Sequence, residues 1–455
     1  MSDLSPSQAA PDEGIANVIS FAAFNALSFQ MVVGSPMILY AKSLDASATV
    51  LGIIAGMLPL LVIFQIPAAR FVDAVGYKKF VLSGWSVRTV FVFLLALVPL
   101  SAGFLPAESR LALVLLLLFL FNLSRGISSC GWLPWITSII SANRRGTFLT
   151  REAMMVNIAS FFAFWLAAGL LGGDPAPWRF SVLFFFSAVC AAISLLFLRR
   201  IPPEPRVDPD QRPPRPGLST MLSLRPFRKL LGMNVVWALA NGGVLTFLVA
   251  WLKEEGIWTE KAILMLTSVT FIGALLNQML ISRGLDRFGS RPILIVGMIV
   301  WILLLGLWTA IAGGVISPHV PLVIGLMLIL GLAGSMVNLS NLRLVMLSVP
   351  DAGRSHYFAI FSVVSSLGLG LAPILWGILI DATATLSVVT IPGFVLNSWS
   401  LLFALLAFLF GIAVFLCTRI EEPKSVRWEA LMRFMLRQSR ARYWLRQWSR
   451  STPRS

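Results

Sequence analysis

The stretch that decides the fold of this chain is residues 110–136, which read RLALVLLLLFLFNLSRGISSCGWLPWI. It is long and apolar enough to cross a bilayer, because about 20 residues at a rise of 1.5 Å span a hydrocarbon core of roughly 30 Å. Arg125 lies near its middle, where inserting an arginine costs roughly 2.5 to 3.5 kcal/mol. A charge at this depth is expected to face a protein interior or a water-filled cavity, and it usually marks a solute pathway.

The composition of the whole chain indicates the same class of protein. Of its 455 residues, 57% are hydrophobic and 12% are charged, whereas a soluble domain has about 25% charged residues. Further apolar stretches of similar length predict an all-α integral membrane protein with twelve membrane-spanning helices. The predicted spans are 15–41, 47–70, 79–102, 110–136, 147–172, 178–199, 230–252, 261–283, 291–314, 319–345, 355–381 and 394–418.

The positions of lysine and arginine predict the orientation in the membrane. These residues concentrate in alternate connections, namely 70–79, 144–151, 199–229, 283–291 and 343–354. Because short connections rich in lysine and arginine stay on the cytoplasmic side, both termini are expected to be cytoplasmic in a cell (inner) membrane. The formal net charge of +16 then reflects orientation beside an anionic cytoplasmic leaflet, and no nucleic-acid partner is expected.

The chain divides into five predicted segments around one long polar interruption. That interruption, 200–229, is rich in proline and arginine, and its prolines favour a semi-extended cytoplasmic linker without helix or strand. The predicted segments are a cytoplasmic N-terminus (1–14), an N-terminal six-helix bundle (15–199), the linker (200–229), a C-terminal six-helix bundle (230–418) and a basic tail (419–455). The tail carries a broken apolar face among its arginines, so an amphipathic helix on the cytoplasmic leaflet is expected.

Two landmarks recur in both halves of the chain. After the second predicted span the sequence reads Asp73-Ala-Val-Gly76-Tyr-Lys78, and after the eighth it reads Asp286-Arg-Phe-Gly289-Ser-Arg291, at an offset of 286 − 73 = 213. Arg145 precedes the fifth span and Arg354 precedes the eleventh, at an offset of 354 − 145 = 209. A shared period indicates duplicated architecture with pseudo-twofold symmetry, which is frequent in membrane transporters.

The repeated loop, the arginine before the fifth span, the twelve spans and the central linker together resemble the major facilitator superfamily over about residues 15–418. The family loop pattern, G-x-x-x-D-[R/K]-x-G-[R/K]-[R/K], is degenerate here, with Ala69 at its first position and Ala74 after Asp73. The resemblance implies transport by alternating access and does not identify the substrate. It also implies a conformational latch that favours the outward-open state, formed by Asp73, Gly76, Lys78, Arg145, Asp286, Gly289, Arg291 and Arg354.

The resemblance further implies that the first, fourth, seventh and tenth spans line a central cavity. Polar residues on these spans fall at helical spacing, which puts them on one side of each helix. The predicted substrate-binding residues are Asn25, Ser28, Asn122, Arg125, Ser129, Trp132, Asn241, Asn338 and Asn341. Asn and Ser also tie membrane helices to each other, at about 0.6 kcal/mol per hydrogen bond, and this alternative stays open for each neutral residue.

The positions of the acidic residues bear on the transport mode. No Asp or Glu occupies the middle of a predicted span, and Glu152 is assigned to a span end. Because a proton-coupled carrier usually needs a titratable relay within the membrane, a facilitator or exchanger of a small polar or anionic organic solute is expected. Two alternatives remain open: a multidrug or amphiphile efflux antiporter, and a transporter-shaped assembly or lipid-handling protein without solute turnover.

An enzymatic function is not supported by the sequence. It contains no Ser-His-acid constellation, no metal-ligand spacing and no phosphate-binding glycine motif of the Walker type. No catalytic residue, metal or cofactor is therefore expected. The expected partners are the transported solute and the lipid bilayer, and the protein is expected to be monomeric.

Overall fold

A computed structural model of the protein describes residues 9–140, 145–173, 175–203, 218–348, 354–384, 389–391, 393–420 and 422. Within these residues it contains twelve segments long and apolar enough to cross a membrane, which confirms the predicted helical fold. We number them spans 1 to 12: Gly14–Lys42, Ala48–Val72, Tyr77–Gly103, Ala107–Ile136, Arg151–Leu171, Pro177–Arg200, Arg225–Glu254, Glu260–Met279, Ser290–Ala312, Val320–Ser348, Tyr357–Thr383 and Ser398–Thr418.

Spans 1 to 6 form the N-terminal half of the molecule. Several of these spans combine an α-helix with a second helix or a 3₁₀ turn. The α-helices are Ala9–Val33, Ser35–Lys42, Ala48–Leu60, Gln65–Val75, Tyr77–Leu97, Ala107–Ser128, Trp132–Ile139, Arg145–Leu171 and Pro177–Arg200, and the 3₁₀ turns are Leu61–Phe64, Pro99–Gly103 and Ser129–Gly131.

Spans 7 to 12 form the C-terminal half. Their α-helices are Arg225–Asn241, Val244–Glu254, Glu260–Phe288, Ser290–Ala312, Val320–Ser348, Arg354–Thr383 and Ser398–Thr418, preceded by the short helix Leu218–Ser223. A small antiparallel hairpin, which the all-α prediction did not include, joins spans 11 and 12. Its strands are β1 (Val389–Ile391) and β2 (Phe394–Leu396), with Thr390 opposite Val395.

Spans 2 and 4 are interrupted, although the sequence prediction treated them as continuous helices. In span 2 the 3₁₀ turn Leu61–Phe64 separates two α-helices, and Pro67 lacks the N–H that would bond the Ile63 carbonyl four residues earlier. In span 4 the hydroxyls of Ser128 and Ser129 donate to the carbonyls of Ser124 (2.7 Å) and Gly126 (2.9 Å). Such bonds compete with the helical ladder, and the helix ends there.

The predicted linker is helical at its C-terminal end. The helix Leu218–Ser223 and the first turn of Arg225–Asn241 both fall inside 200–229, so the expectation of a segment without helix is wrong there. Pro226 lies in the first turn, where a missing N–H costs nothing and the fixed φ suits a helix. Residues 204–217 and most of the basic tail lie outside the described part of the chain.

The two ends of the helical bundle can be told apart by contacts between span ends. We call the linker face the end at which span 1 begins and span 6 ends. There, the Trp135 indole Nε1 donates to the Pro202 carbonyl at 2.9 Å, and Gly14 packs against the Pro202 ring. We call the opposite face the end formed by the other ends of spans 1 and 6, and it includes Lys42.

The two halves are hydrogen-bonded to each other at the opposite face. The Asp381 carboxylate of span 11 accepts the backbone N–H groups of Ala48 (3.0 Å) and Thr49 (2.8 Å) at the start of span 2. The Lys42 ammonium also pairs with the Glu254 carboxylate at 3.2 Å. A backbone hydrogen bond that joins the end of span 5 to the start of span 8 lies at the same face. The structure is therefore closed at the opposite face.

Candidate functional site

One polar cavity among the described residues lies in the N-terminal half and has a volume of about 230 Å³. We call it the charged cavity. It combines side chains from spans 1, 3, 4 and 5. Its polar lining residues are Asn25, Arg88, Arg125, Ser129 and Glu152, and its aromatic lining residues are Phe21, Phe29, Trp85 and Trp132. Four of the predicted substrate-binding residues thus come together in one place.

Arg88 on span 3 is the most deeply buried charge in this cavity, with 2% of its surface exposed. One of its terminal nitrogens, Nη2, donates to the side-chain oxygen of Asn25. The guanidinium carbon lies 5.1 Å from the ring centre of Trp85 and 5.3 Å from that of Phe121, which places the cation over two aromatic faces. Its Nε has no hydrogen-bond partner among the described residues. Arg88 therefore keeps unused hydrogen-bonding capacity.

Arg125 on span 4 lines the same cavity, as its depth in the sequence predicts. Its guanidinium carbon lies 5.4 Å from the ring centre of Phe29 on span 1. In the described part of the chain, no carboxylate comes within the 4.0 Å of an ion pair to Arg88 or Arg125. Both cations are thus held by aromatic rings and a neutral amide, without a direct anionic partner.

Glu152 lies at the start of span 5, at the span end that the sequence predicts, and it nevertheless lines the charged cavity. Its helix runs from Arg145 to Leu171, and the side chain of Glu152 shares the cavity lining with the two arginines. With two guanidiniums and one carboxylate, the lining carries a formal charge of 2 − 1 = +1. A buried excess charge is costly unless it is paired, so this cavity is suited to an anionic group.

Three aromatic side chains form a contiguous wall of the charged cavity. The ring centres of Phe21 and Trp132 are 4.9 Å apart, and Trp85 lies 6.2 Å from Phe21 and 6.1 Å from Trp132. These rings come from spans 1, 3 and 4. They give the cavity a rigid apolar surface next to its charges.

The second cavity is larger, about 420 Å³, and we call it the amide cavity. Spans 7, 8, 9 and 10 form most of it, and Asn157 of span 5 reaches it from the N-terminal half. Its polar lining residues are Asn157, Asn241, Thr270, Gln278, Ser335 and Asn338, together with the indole of Trp301. No charged side chain lines this cavity in the described part of the structure.

Two polar atoms of residues that line the amide cavity have no hydrogen-bond partner among the described residues. The Gln278 side-chain oxygen and the Trp301 indole nitrogen are both buried and unpartnered. Asn157, by contrast, donates its amide N–H to the Ala153 carbonyl at 3.0 Å, which leaves its side-chain oxygen available. The cavity thus offers both donors and acceptors to a ligand.

Span 5 connects the two cavities. Glu152 and Val156 line the charged cavity, and the next residue, Asn157, lines the amide cavity. The same helix is fixed against span 1, where the Gln30 side-chain nitrogen donates to the Ser160 hydroxyl at 3.0 Å. The two cavities therefore border the same turn of one anchored helix.

The structure does not bring Ser28 to either cavity, although it was a predicted substrate-binding residue. Its hydroxyl is 3.0 Å from that of Ser187, and the Ser187 hydroxyl also bonds the Ser28 carbonyl at 2.9 Å. These bonds tie span 1 to span 6. For Ser28 the structure favours the helix-tying alternative over solute contact.

Asn122 and Asn341 are also buried away from both cavity linings. The Asn122 amide nitrogen donates to the Leu118 carbonyl of its own helix at 2.9 Å. Asn341 exchanges two hydrogen bonds with Asn234, at 2.7 and 3.2 Å, which tie span 10 to span 7. The other six predicted substrate-binding residues line one of these two cavities: Asn25, Arg125, Ser129, Trp132, Asn241 and Asn338.

The two predicted latch loops share one backbone feature. Gly76 and Gly289 each have φ of +87°, a conformation that favours glycine, and each ends one helix and precedes the next. The side chains of Asp73, Asp286, Arg145 and Arg354 lie outside the described part of the structure, and Lys78 is in the first turn of span 3. The latch function thus stays a prediction.

Arg291, the last residue of the second latch loop, contacts the end of span 12 and the residues that follow it. Its guanidinium donates to the Thr418 carbonyl at 2.5 Å, and its backbone N–H donates to the Glu422 carboxylate at 2.8 Å. Glu422 also accepts the Ser290 N–H at 3.0 Å, so it caps the start of span 9. A carboxylate at a helix N-terminus is stabilised by the helix dipole, and sequence analysis did not assign this role to Glu422.

Twelve spans in two similar bundles, with polar cavities between the helices, define a multi-pass membrane transporter. The sequence model of the Major Facilitator Superfamily matches residues 18–257 and 230–445. The chain belongs to this family, as the repeated loops predict, and its members transport by alternating access.

Solved structures share the fold at low sequence identity. A D-xylose-proton symporter is 13% identical, with a TM-score of 0.72; the match covers 91% of this chain and 99% of the symporter chain. A point mutant of the nucleoside transporter NupG is 15% identical with a TM-score of 0.66 (90% and 100%). A bacterial homolog of the human lysosomal transporter Spinster, inward-facing and unoccupied, is 15% identical with a TM-score of 0.60 (91% and 96%). No curated protein matches the sequence.

Proposed function

We propose that this protein transports a small anionic organic solute across the cell membrane by alternating access. The observation that carries the proposal is the pair Arg88 and Arg125, which line one cavity with a single carboxylate, Glu152. A charge inside a membrane protein is expensive to maintain and is usually functional. An anion bound between the guanidiniums would neutralise the cavity and fill their free hydrogen-bonding positions.

The proposed transport mode is facilitated diffusion or exchange. Glu152 lines the charged cavity, so the absence of an acid within the membrane no longer supports this mode. Its support is instead the charge balance, because a monovalent anion neutralises a lining of +1 without a co-transported ion. Glu152 is nevertheless the residue through which proton coupling would act, and it is tested directly below.

The proposed orientation places the linker face in the cytoplasm. Trp135 of span 4 and Pro202 after span 6 meet at this face, the basic connections 144–151 and 199–229 follow these spans in the sequence, and positive loops stay cytoplasmic. Hydrogen bonds close the halves at the opposite face, so the solute would exchange with the cytoplasm in this state. The further partners proposed are the anionic lipids of the cytoplasmic leaflet, with the protein acting as a monomer.

Stimulated counterflow in proteoliposomes tests the proposal. Vesicles preloaded with an unlabelled organic anion, taken in turn from a panel of carboxylates, should transiently accumulate the same labelled anion. Empty liposomes and liposomes with Arg125→Ala should not. If no carboxylate in the panel shows counterflow while a neutral solute does, the anionic solute is rejected. If nothing is transported by folded protein, an assembly or lipid-handling function without turnover is favoured.

A second candidate, efflux of amphiphilic drugs, is favoured by the aromatic wall of Phe21, Trp85 and Trp132. Aromatic surfaces next to a water-filled cavity suit flat lipophilic cations as well as organic anions. The excess positive charge of the cavity opposes a cationic drug. Unimpaired transport of a neutral lipophilic dye by Arg125→Ala would support this second candidate.

A further inference from the structure

We propose that the transported solute is a polyhydroxylated organic acid, with its carboxylate in the charged cavity and its hydroxylated chain in the amide cavity. This inference rests on the proposed function, because it presumes that the charged cavity binds an anion. It adds the chemistry of the rest of the solute, which the charged cavity alone does not determine.

The amide cavity is built for neutral groups that both donate and accept hydrogen bonds. Asn157, Asn241, Gln278 and Asn338 line it with carboxamides, and each carboxamide has two donors and an accepting oxygen. No charged residue is among the described residues that line it. A hydroxyl group is the simplest neutral partner for such a set, because one oxygen can donate to an amide oxygen and accept from an amide nitrogen.

Two buried polar atoms of lining residues also favour a hydrogen-bonding solute. The Gln278 side-chain oxygen lacks a donor and the Trp301 indole nitrogen lacks an acceptor, and Trp301 as a whole is 4% exposed. Buried polar atoms of proteins are nearly always hydrogen-bonded, so each exception calls for a ligand or water. Both atoms are covered in this state, so a hydroxylated solute would pair with them after a shift of the lining side chains, whereas an alkyl chain would leave them unsatisfied.

The size and position of the cavities fit a solute that reaches both. The amide cavity, at about 420 Å³, falls within the range of roughly 300 to 1,000 Å³ typical of small-molecule sites. The charged cavity, at about 230 Å³, has room for a carboxylate head group. Adjacent residues of span 5, Val156 and Asn157, line the two cavities, so both cavities border the same turn of this helix and one solute can reach both.

Three six-carbon compounds separate the contributions of the two cavities. D-gluconate has both a carboxylate and hydroxyls, hexanoate has only the carboxylate, and D-sorbitol has only the hydroxyls. We would measure binding of radiolabelled D-gluconate to the purified full-length protein by scintillation proximity and displace it with each unlabelled compound. Because the assay uses protein in detergent, permeation of hexanoate through lipid does not interfere.

The expected result is that D-gluconate displaces the label at a concentration about tenfold or more below that of hexanoate, and that D-sorbitol is weaker still. Asn338→Leu should reduce the gluconate-to-hexanoate preference to about twofold, and Asn338→Gln should retain most of it. Ser340→Ala is the matched control, since Ser340 is buried on the same helix and does not line the cavity. Asn241→Leu repeats the test if Asn338→Leu does not fold.

The contrary outcomes distinguish the two proposals. Hexanoate binding as tight as gluconate binding, with both lost in Arg125→Ala, would overturn the hydroxylated solute and leave the anion transporter intact. Sorbitol binding as tight as gluconate would overturn the anionic solute itself. A folded protein without saturable gluconate binding would overturn the polyhydroxylated acid, and the counterflow panel would then decide the proposed function separately.

Discussion

The charged cavity and the amide cavity occupy related places in the two halves of the molecule, yet their chemistry differs. Arg125 lines the first and Asn338 the second, at an offset of 338 − 125 = 213, the same as that between the loop aspartates Asp73 and Asp286. The repeat is thus kept in both halves while one position carries a cation and the other a neutral amide. We infer that this asymmetry orients the solute, because only one wall of the pathway attracts its charge.

The largest expected effect comes from removing the cation of the charged cavity. Arg125→Ala should lower counterflow of an organic anion by on the order of 100-fold, since a hydrogen-bonded charge pair is lost. Arg125→Lys should retain weak transport, because it keeps the charge but loses the planar fork of donors. Arg228→Ala, which removes an exposed arginine on the linker face, is the control. Failure of Arg125→Ala to fold would instead make Arg125 a structural tie.

The next prediction separates amides that bind solute from amides that hold helices together. Asn341→Leu should lower the unfolding free energy by about 1 to 3 kcal/mol, because it leaves the buried Asn234 amide without its partner. Asn338→Leu, one helical turn away, should change it far less. Thermal unfolding of the purified variants measures both. If the two substitutions destabilise the protein equally, Asn338 is as much a structural residue as Asn341, and the prediction is wrong.

The carboxylate of the charged cavity tests the transport mode. Glu152→Gln raises the formal charge of the lining from +1 to +2, so anion affinity should rise about fivefold. Counterflow should be independent of an imposed pH gradient in both proteins. If the wild type accumulates anion with a proton gradient and Glu152→Gln loses that accumulation, the protein is a proton-coupled carrier and the facilitator or exchanger is rejected.

The smallest expected effect is at Ser28. Ser28→Ala removes a hydroxyl that bonds Ser187 outside both cavities, so stability should fall by about 0.6 kcal/mol. Anion counterflow per folded molecule should stay within about twofold of the wild type. Paired measurements of melting temperature and counterflow check this. A loss of transport comparable to that of Arg125→Ala would return Ser28 to the binding site.

The fold could be predicted from the sequence because hydropathy and loop charge act over whole spans. Twelve apolar segments and a 213-residue repeat are features of that scale, and local irregularities such as the 3₁₀ turn Leu61–Phe64 do not obscure them. Arg125 could also be predicted to face a cavity, because the cost of burying its charge restricts where it can point.

The neutral site residues could not be predicted with the same method. Asn338 and Asn341 share one helical face by spacing, yet the first lines a cavity and the second pairs with Asn234, because the partner helix determines which amide is covered. Arg88 and Glu152 lie on spans 3 and 5, which the family resemblance did not assign to the cavity. Both were visible in the sequence as charges within or next to apolar runs, and that signal was sufficient to include them.

The central claim is that the charged cavity binds the solute as an anion through its arginines. Isothermal titration of the purified protein with D-gluconate and with D-sorbitol, its neutral analogue, tests this claim most directly. We predict saturable gluconate binding to the wild type, at least about tenfold weaker sorbitol binding, and loss of gluconate binding in folded Arg125→Ala. Gluconate binding of wild-type strength in Arg125→Ala, or equal binding of sorbitol and gluconate to the wild type, would contradict it.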